Sequence, residues 1–532
     1  MNIRTEAASE YWSQERLLPT FQAPEHLNVY DIRSATPEVQ RTITMLTGLI
    51  NRTQPRVYLI IREQDNFWLN EALVSVSHIV SPARGNDILD ALLKTYRERI
   101  QGLIICNPNF IDSVNIAMMM AGQQDGIVVT PDQATQLQQG PHNLPVLADL
   151  RTYHWKNRLE AYHWAFRNLR QHASPRIIAG LNPAMTGSLQ SFLVATRAFV
   201  YWLDARKSFP DFTQGLLSER CLMKRIFKSY AHGAVHLGWF ISEPFGVRLT
   251  SQAGLPVLAS DLFNNLEVML SIPGTQNRQP PSLASAEITV SPPKPNTTLS
   301  NEQGNEPKTY VSFTMSDGDN IQYMQNRMLQ LWRDPARGTI PLGWTISPLL
   351  MQAAPAIAAY YLRTASANDE FLVGPSGGGY MYPSRWPKEL LPAFLTHTGR
   401  LMREMNLTLL EVLDAGLIQD LALANIELQR RFVEALVPFG LKGILSGSGL
   451  PRCRWKLLSG VPVYQNLGLA DSADKTVKLI RNASRSSKFL NVYVFAYKMV
   501  PSDLKQVIQR LGNEYTVVTP GKLLSMITEG KD

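Results

Sequence analysis

Two polar clusters directly follow strand-like segments, and both contain residue types that can do chemistry. In the first, SDGDN at 316–320, Asp317 and Asp319 lie on either side of a glycine, after the apolar segment 309–315. Such a turn can cap the helix that follows, bind a hard cation through oxygen ligands, or supply a general acid or base. In the last case each carboxylate raises the pKa of its like-charged neighbour. The residue types leave capping and a functional role open.

The second cluster is GPSGGGYMYP at 374–383, followed by Trp386. Its three successive glycines allow positive φ angles and a close approach of the backbone to a ligand. Tyr380, Tyr382 and Trp386 add aromatic faces, on which the C–H faces of sugars can pack. The spacing matches neither of the phosphate-binding patterns GxxxxGK(S/T) and GxGxxG. A sugar-binding loop and a tight turn with core aromatics are both compatible with it.

Hydrolysis of a glycosidic bond usually needs two carboxyl groups, roughly 5–5.5 Å apart for retention and 6.5–9.5 Å apart for inversion. The partner of Asp317 or Asp319 should come from another strand end, and Asp414, which closes the segment 408–414, is the first candidate. A helix cap is an equally good explanation of Asp414. Glu411 lies earlier in the same segment and faces the opposite way if the strand is regular. Glu243, in the N-terminal part, is a more distant option.

Other catalytic classes fit the sequence less well. A metal-dependent polysaccharide deacetylase also places paired aspartates after its first barrel strand, but it needs two histidines, and only His397 follows residue 307. His232 and His236 are better explained by packing than by zinc. The three cysteines are far apart and form no metal pattern or disulfide framework. The run 374–378 around Ser376 has the letters of GxSxG, but its glycine-rich flanks are wrong for the nucleophile elbow of a serine hydrolase. No cofactor is predicted, although Asp317 and Asp319 could hold a divalent cation.

The clusters must be positioned by alternating strands and helices. The apolar segments after residue 308 predict seven or eight βα units in about 220 residues, as in a compact TIM-like (β/α) barrel that can be incomplete. An open doubly wound sheet would give the same alternation. In both architectures ligands bind at the carboxyl ends of the strands, where the two clusters lie. The predicted strands are 309–315, 340–346, 370–374, 408–414, 442–446, 461–465, 491–497 and 515–518.

The N-terminal part reads as an α/β region with parallel-sheet βαβ units. The segments 27–32 and 55–61 are predicted strands, and Thr36-Pro37-Glu38 between them has the chemistry of a helix start. Seven prolines among residues 273–307 indicate a linker or long loop, in which Ile288-Thr289-Val290 could add an edge strand. We therefore divide the chain into an N-terminal region (1–273), a linker (274–307) and a C-terminal domain (308–532).

Composition narrows the class of protein. A hydrophobic fraction of 45% and a charged fraction of 18% are typical of a folded chain. The net charge of +8 is spread over the sequence without a basic run, which disfavours a nucleic-acid partner. The N-terminus lacks an apolar core of signal-peptide length, and the most apolar stretch, 349–362, is too short to span a bilayer. A cytoplasmic protein without a membrane partner is expected, unless a secretion signal precedes this start.

The run Gly377-x-Gly379-Tyr380-x-Tyr382-Pro383 resembles the motif that names the GxGYxYP family of putative glycoside hydrolases. SDGDN and the segments 341–350, 27–32 and 46–60 are also similar to that family, so the resemblance runs from about residue 25 to 525. It implies a barrel related to sugar-processing enzymes and a carbohydrate substrate, but no established catalytic pair.

We predict a glycoside hydrolase, with a non-catalytic glycan-binding protein as the alternative. The predicted catalytic residues are Asp317, Asp319 and Asp414, and the predicted substrate-binding residues are Asn320, Gly377, Gly379, Tyr380, Tyr382 and Trp386.

Overall fold

The computed structural model describes residues 16–208, 218–272, 309–414, 425–450 and 453–530. The predicted linker and the edge strand proposed within it lie outside these residues. The described chain forms four sheets, three in the N-terminal region and one in the C-terminal domain.

The first two sheets each contain three parallel strands. Strands β1–β3 (Leu27–Asp31, Val57–Ile60, His78–Val80) pair in the order β2-β1-β3, with helices α1–α3 (Pro37–Ile50, Glu63–Glu71, Asp87–Tyr96). Strands β4–β6 (Gly102–Ile105, Gly126–Val129, Val146–Asp149) pair in the order β5-β4-β6, with helices α4–α6 (Ser113–Gln124, Pro131–Gln139, Arg158–Asn168).

The third sheet has four parallel strands and lies against the C-terminal domain. Strands β7–β10 (Ile177–Gly180, Phe199–Tyr201, Val235–Gly238, Val257–Ala259) pair in the order β10-β9-β7-β8. Helices α7–α10 (Gln190–Ala195, Glu219–Lys228, Glu243–Gln252, Leu266–Ser271) follow the four strands in turn. The edge strand β10 forms single bridges with two residues of the C-terminal domain, Tyr380 opposite Val257 and Asn320 opposite Ala259.

The C-terminal domain is a closed barrel of seven parallel strands. Strand β11 pairs with both β12 and β18, so the order β11-β12-β13-β14-β15-β17-β18 returns to its start. Strand β19 pairs with the first three residues of β11, 309–311. Strand β16 pairs antiparallel with β17. Strands β11–β19 are Thr309–Met315, Leu342–Ile346, Asp369–Val373, Leu409–Val412, Gly443–Leu450, Arg454–Leu458, Val461–Ala470, Phe489–Val494 and Tyr515–Val517.

Helices cover the outside of the barrel. Their apolar faces are buried against the strands, as the 3.6-residue spacing of apolar side chains requires. Helices α11–α19 are Ile321–Gln325, Arg327–Trp332, Leu350–Ala353, Pro355–Thr364, Leu391–Glu404, Ile426–Leu436, Ala473–Ala483, Pro501–Leu511 and Pro520–Thr528. Single 3₁₀ turns are Arg97–Arg99, Leu150–Tyr153, Arg170–His172, Pro383–Arg385 and Val437–Phe439. None of the helices in the described ranges is long and apolar enough to cross a membrane.

The predicted fold class is confirmed: the N-terminal region has parallel βαβ units, and the C-terminal domain is a barrel of seven parallel strands, the lower of the two predicted numbers. The alternative of an open sheet is wrong for the C-terminal domain, because β11 and β12 pair and close it. The helix start at Thr36 is also confirmed, since its hydroxyl accepts a 3.5 Å hydrogen bond from the Val39 N–H.

Candidate active site

The SDGDN turn begins where β11 ends and is held by the neighbouring strand β18. The Ser316 N–H donates to the Val494 carbonyl at 2.9 Å, and the Ser316 hydroxyl accepts from the Ala496 N–H at 3.1 Å. The same hydroxyl donates to the Asp317 carboxylate. Asp317 adopts a φ of +75°, a conformation that costs energy for a residue with a side chain. This backbone turns the Asp317 side chain toward the pocket described below.

Asn320 closes the turn as the N-cap of α11, since its side-chain oxygen accepts from the Tyr323 N–H at 2.9 Å. The capping role considered for SDGDN therefore falls to Asn320. Neither aspartate of the turn is needed as the cap, so both carboxyl groups are available for another role.

The GGGYMYP loop joins the barrel to the third N-terminal sheet. Tyr380 exchanges two backbone hydrogen bonds with Val257 of β10, with N···O distances of 2.7 and 3.0 Å. The Tyr382 N–H donates to the Ser251 hydroxyl on α9 at 2.9 Å. Gly379, at a φ of +122°, lies against Pro256 where an added Cβ would be 2.7 Å from the proline side chain. The loop thus fixes the N-terminal region over the barrel mouth.

The two polar clusters are in direct contact through glycines. A Cβ on Gly374 would overlap the backbone of Gly318, and a Cβ on Gly318 would lie 2.5 Å from the backbone of Thr345. Only glycine at 318 and 374 lets the ends of β11, β12 and β13 approach this closely. The packing of these strand ends brings the acidic turn beside the aromatic loop.

A pocket of about 150 Å³ opens at this junction. It is lined by three carboxyl groups, four aromatic rings, two leucines and two small polar side chains. The lining residues are Trp239, Glu243, Ser316, Asp317, Asp319, Asn320, Tyr380, Leu413, Leu469, Tyr493 and Phe495. Two of them, Trp239 and Glu243, come from the N-terminal region, so the pocket is formed by both parts of the chain.

Glu243 is the first residue of α9, where the helix dipole favours a carboxylate. The Tyr380 hydroxyl donates to its carboxylate at 3.0 Å. Burial raises the pKa of Glu243, and the nearby charge of Asp317 raises it further, while the Tyr380 hydrogen bond opposes both effects. Glu243 therefore faces Asp317 across the contact between the two parts of the chain.

Asp317 and Asp319 are partly exposed through the pocket, although protein atoms surround each carboxyl group on most sides. Burial raises the pKa of Asp317 to about 6, and the hydrogen bond from Ser316 offsets part of this rise. Burial raises the pKa of Asp319 still more strongly, and the charges of Asp317, Glu243 and Glu411 add to the effect. The two neighbours therefore differ in how strongly their environment favours the protonated form, and Asp319 is the more strongly affected.

Glu411, in the middle of β14, lies beneath this group. Its side chain is fully buried, and neither carboxyl oxygen has a hydrogen-bond partner in the described parts of the chain. Burial raises its pKa to about 8, and the Asp317 charge contributes. The Tyr493 hydroxyl lies close enough to offset part of that rise, without the geometry of a hydrogen bond. Four carboxyl groups thus form one electrostatically coupled cluster.

Family models match almost the whole described chain. A model described as GxGYxYP putative glycoside hydrolase C-terminal domain matches residues 307–528. Models for the first, second and third N-terminal domains of the same family match residues 26–98, 100–173 and 175–271. The chain belongs to the GxGYxYP family. The resemblance of the 377–383 motif is thereby confirmed.

Solved structures support the fold of this GxGYxYP protein. A crystal structure described as a putative hydrolase from Bacteroides thetaiotaomicron VPI-5482 is similar over 97% of each chain, with 21% identity and a TM-score of 0.78. A putative polysaccharide deacetylase from Mycobacterium smegmatis matches with a TM-score of 0.30 and 11% identity, over 44% of this chain and 96% of its own, which is too weak to carry an argument. No curated protein matches the chain.

Of the predicted site residues of the GxGYxYP protein, Asp317, Asp319, Asn320 and Tyr380 line the pocket. Tyr382 packs edge-on against Tyr380, with 5.7 Å between ring centroids. Its backbone is held by α9, so it supports the pocket wall from behind.

Three predicted substrate-binding residues do not line the pocket: Trp386, Gly377 and Gly379. Trp386 is buried and packs on Phe394, with 5.0 Å between ring centroids. Gly377 lies against Thr398 of α15 at a φ of +128°, and Gly379 lies against β10. Trp386, Gly377 and Gly379 therefore stabilise the conformation of the loop and do not contact the pocket.

Asp414 is not among the residues that line the pocket. It accepts hydrogen bonds from the Ser384 N–H and hydroxyl at 3.0 and 2.8 Å. Side chains alternate along an extended chain, so Glu411 and Leu413 face the cluster while Asp414 faces away. The prediction named the residue at the strand end, but the periodicity of two places Glu411 on the functional face.

The structure gives no support for a histidine metal site. His236 is fully buried, and its Nε2 lies 2.7 Å from the Tyr201 hydroxyl. His232 donates from Nδ1 to the Ala253 carbonyl at 2.9 Å. Among the described residues, no group of three or more histidine, cysteine, aspartate or glutamate side chains has an arrangement that could hold a metal ion.

Proposed function

We propose that this GxGYxYP protein is a glycoside hydrolase that uses carboxyl groups for acid–base catalysis in the pocket at the barrel mouth. The observation that carries the proposal is that Glu243, Asp317 and Asp319 line one pocket together with aromatic rings. Two carboxyl groups beside a sugar-sized aromatic pocket are what glycoside hydrolysis requires. The description of the family as glycoside hydrolases agrees with it.

The different environments of the carboxyl groups support separate roles. Burial and three acidic neighbours raise the pKa of Asp319 and favour its protonated form, so we assign it as the general acid that protonates the leaving oxygen. Asp317, with a pKa near 6 and a hydrogen bond from Ser316, is ionised at neutral pH. It serves as the base or nucleophile. Pairs of titratable groups with pKa values pushed apart are typical of acid–base sites.

Glu243 takes the place of Asp414 as the third carboxyl group of the proposal. It faces Asp317 and receives a hydrogen bond from Tyr380. A carboxylate held in this way can orient a sugar hydroxyl, or act with Asp317 on the sugar ring. Because Glu243 belongs to the N-terminal region, the barrel alone would lack one wall and one acid of the site.

A recessed pocket favours catalysis over simple glycan binding. A binding module would present its aromatic rings on a shallow surface, but Tyr380 and Tyr493 are 2% and 5% exposed and lie beside the carboxyl groups. These tyrosines and the rest of the wall shield the acids from water on most sides and leave them accessible through the pocket mouth. Exclusion of water strengthens the electrostatic interactions in the pocket.

The acid limb of the pH profile is the first prediction. We expect kcat/KM to fall as pH decreases below about 6, because protonation of Asp317 removes the base or nucleophile. The limb is measured from initial rates between pH 4.5 and 8 with a substrate far below its KM. A kcat/KM that stays constant down to pH 5 would contradict the role given to Asp317.

Turnover itself is tested with a panel of aryl glycosides and polysaccharides, with and without EDTA. We expect hydrolysis by the wild-type protein and its loss in Asp317→Asn and Glu243→Gln. Asp474→Asn, on the surface helix α17 with a side chain 77% exposed, is the matched control and should keep full activity. Loss of activity with EDTA would reassign Asp317 and Asp319 to metal binding. Glycan binding without turnover of any substrate would overturn the proposal in favour of a binding protein.

A further inference from the structure

The pocket carries more acid than hydrolysis needs. Three carboxyl groups line it, whereas two suffice for a glycosidase. The lining contains no lysine, arginine or histidine among the residues that the structure describes. The acid roles of Asp317 and Asp319 account for two of these groups, so the third, Glu243, is free to recognise a particular substrate.

The fourth carboxyl group makes the excess larger. Glu411 lies under the pocket, fully buried, and both of its oxygens lack a hydrogen-bond partner in the described chain. A buried acid without a partner is costly, and close like charges increase the cost. A positive charge placed in the pocket would reduce both costs.

The arginines near the pocket do not supply that charge. Arg327 donates to the Ala496 carbonyl at 3.0 Å and to Gln330 at 3.2 Å. Arg248 lies over the ring of Phe245, with 5.9 Å between the guanidinium carbon and the ring centroid. Neither arginine lines the pocket. The positive charge must therefore come from a proton or from a bound molecule.

Aromatic faces complete the chemistry of a cation site. Trp239, Tyr380, Tyr493 and Phe495 all line the pocket, and the rings of Trp239 and Tyr380 are stacked at 6.4 Å. Electron-rich ring faces attract ammonium groups, most strongly where water is excluded. Carboxylates together with aromatic walls are a combination that binds ammonium in preference to a neutral hydroxyl.

We propose that the sugar bound in this pocket is an amino sugar whose free ammonium group is held by the carboxylate of Glu243. The inference rests on the proposed function, because it names the substrate class of the same site. An acetylated amine would lose the charge, and a uronic acid would add a repulsive one. Glycosides of unsubstituted amino sugars are therefore the substrate class that fits the pocket.

Calorimetric titration of the wild-type protein tests the inference without turnover. The ligands are glucosamine, galactosamine and mannosamine, each beside its N-acetylated and its parent neutral sugar, with glucuronic acid as the acidic comparison. We expect at least one amino sugar to bind 10-fold or more tightly than both of its matched counterparts. The ammonium group should also displace protons from the acid cluster, so the heat should depend on the ionisation enthalpy of the buffer.

Variants assign the preference to the residues named. Glu243→Gln should reduce the preference for the amino sugar by 5-fold or more, while Glu427→Gln, a surface change on α16, should leave it unaltered. A thermal melt confirms that each variant is folded. If Glu243→Gln does not fold, proton release by the wild-type protein alone decides the question.

Two outcomes separate this inference from the proposed function. Hydrolysis of neutral glycosides without any preference for amino sugars in the titration would overturn the inference and leave the hydrolase intact. Preferential binding of an amino sugar with proton release, but without hydrolysis of any glycoside, would support the inference and overturn the hydrolase. Tighter binding of uronic acids, or no binding of any sugar, would overturn the inference.

Discussion

Asp319→Asn is expected to lower kcat/KM by about 10³-fold on substrates with a poor leaving group, such as an alkyl glycoside or an oligosaccharide. Asparagine keeps the shape of the side chain but cannot donate a proton to the departing oxygen. Positioned general acids contribute roughly 10²–10⁴-fold to the rate of such reactions. The buried, charge-surrounded position of Asp319 is the reason to place the acid there.

The dependence on the leaving group distinguishes this role from simple damage to the site. A dinitrophenyl glycoside leaves without protonation, so its kcat/KM should fall by only about 10-fold or less in the same variant. Initial rates on the two substrates give the ratio directly. Asp414→Asn is the informative comparison, because its partner is Ser384 and it should change both substrates equally. Equal losses on the two substrates in Asp319→Asn would show that Asp319 is not the acid.

Much of the fold is predictable because buried parallel strands have a strong sequence signal. Segments such as 57–61 are continuous apolar runs, since both of their faces are covered. Three strands were not predicted, β3, β6 and β16, and all three are short edge strands with mostly exposed or half-buried side chains. They are defined by pairing with a neighbour, which a local pattern does not contain. Barrel closure is likewise a pairing of β11 with β12 and has no local signal.

In the candidate site too, residues marked by a local sequence pattern were predicted, whereas contacts between distant parts of the chain were not. Asp317, Asp319 and Tyr380 were predicted because each follows a strand directly in a cluster of polar or aromatic residues. Glu243 also follows a strand closely, but its role depends on how the third N-terminal sheet docks on the barrel. That docking is made by backbone hydrogen bonds between Tyr380 and Val257, which any residue types could form.

The role of glycines 318 and 374 could be predicted only in part. The sequence indicates that a glycine there permits an unusual backbone or a close approach, without saying to what. The structure identifies the neighbour, since each glycine lies against the backbone of an adjacent strand end. The motif glycines therefore join the two polar clusters, a role that neither cluster reveals alone.

Glu411→Gln is expected to raise the thermal unfolding midpoint of the barrel at pH 9 by roughly 6–12 °C, and to leave it unchanged or lower at pH 5. The pKa of Glu411 is raised from its ordinary value of 4.5 to about 8 in the folded protein. Below pH 4.5 the carboxyl group is protonated in both states and contributes no difference. Between pH 4.5 and 8 the unfolded chain loses the proton while the folded chain keeps it, so stability falls as pH rises.

The size of the effect follows from the same pKa. One pKa unit corresponds to about 1.4 kcal/mol of unfolding free energy. We expect about 3 kcal/mol instead of the full value for this pKa change, because Asp317 titrates together with Glu411 and the site can relax around the charge. For a domain of this size, 1 kcal/mol changes the midpoint by roughly 2–4 °C. Glutamine removes the titration but places an unpaired amide in the same buried space, which explains the absence of a gain at pH 5.

Thermal melts of wild type and variant at pH 5, 7 and 9 measure the effect, and the difference between the two proteins cancels most other titrations. Glu427→Gln, whose carboxylate is 56% exposed, should show no pH-dependent difference. A gain of the same size at all three pH values would mean that glutamine simply packs better than glutamate. In that case the buried acid carries no electrostatic cost, and Glu411 would not belong to a coupled acid cluster with Asp317 and Asp319.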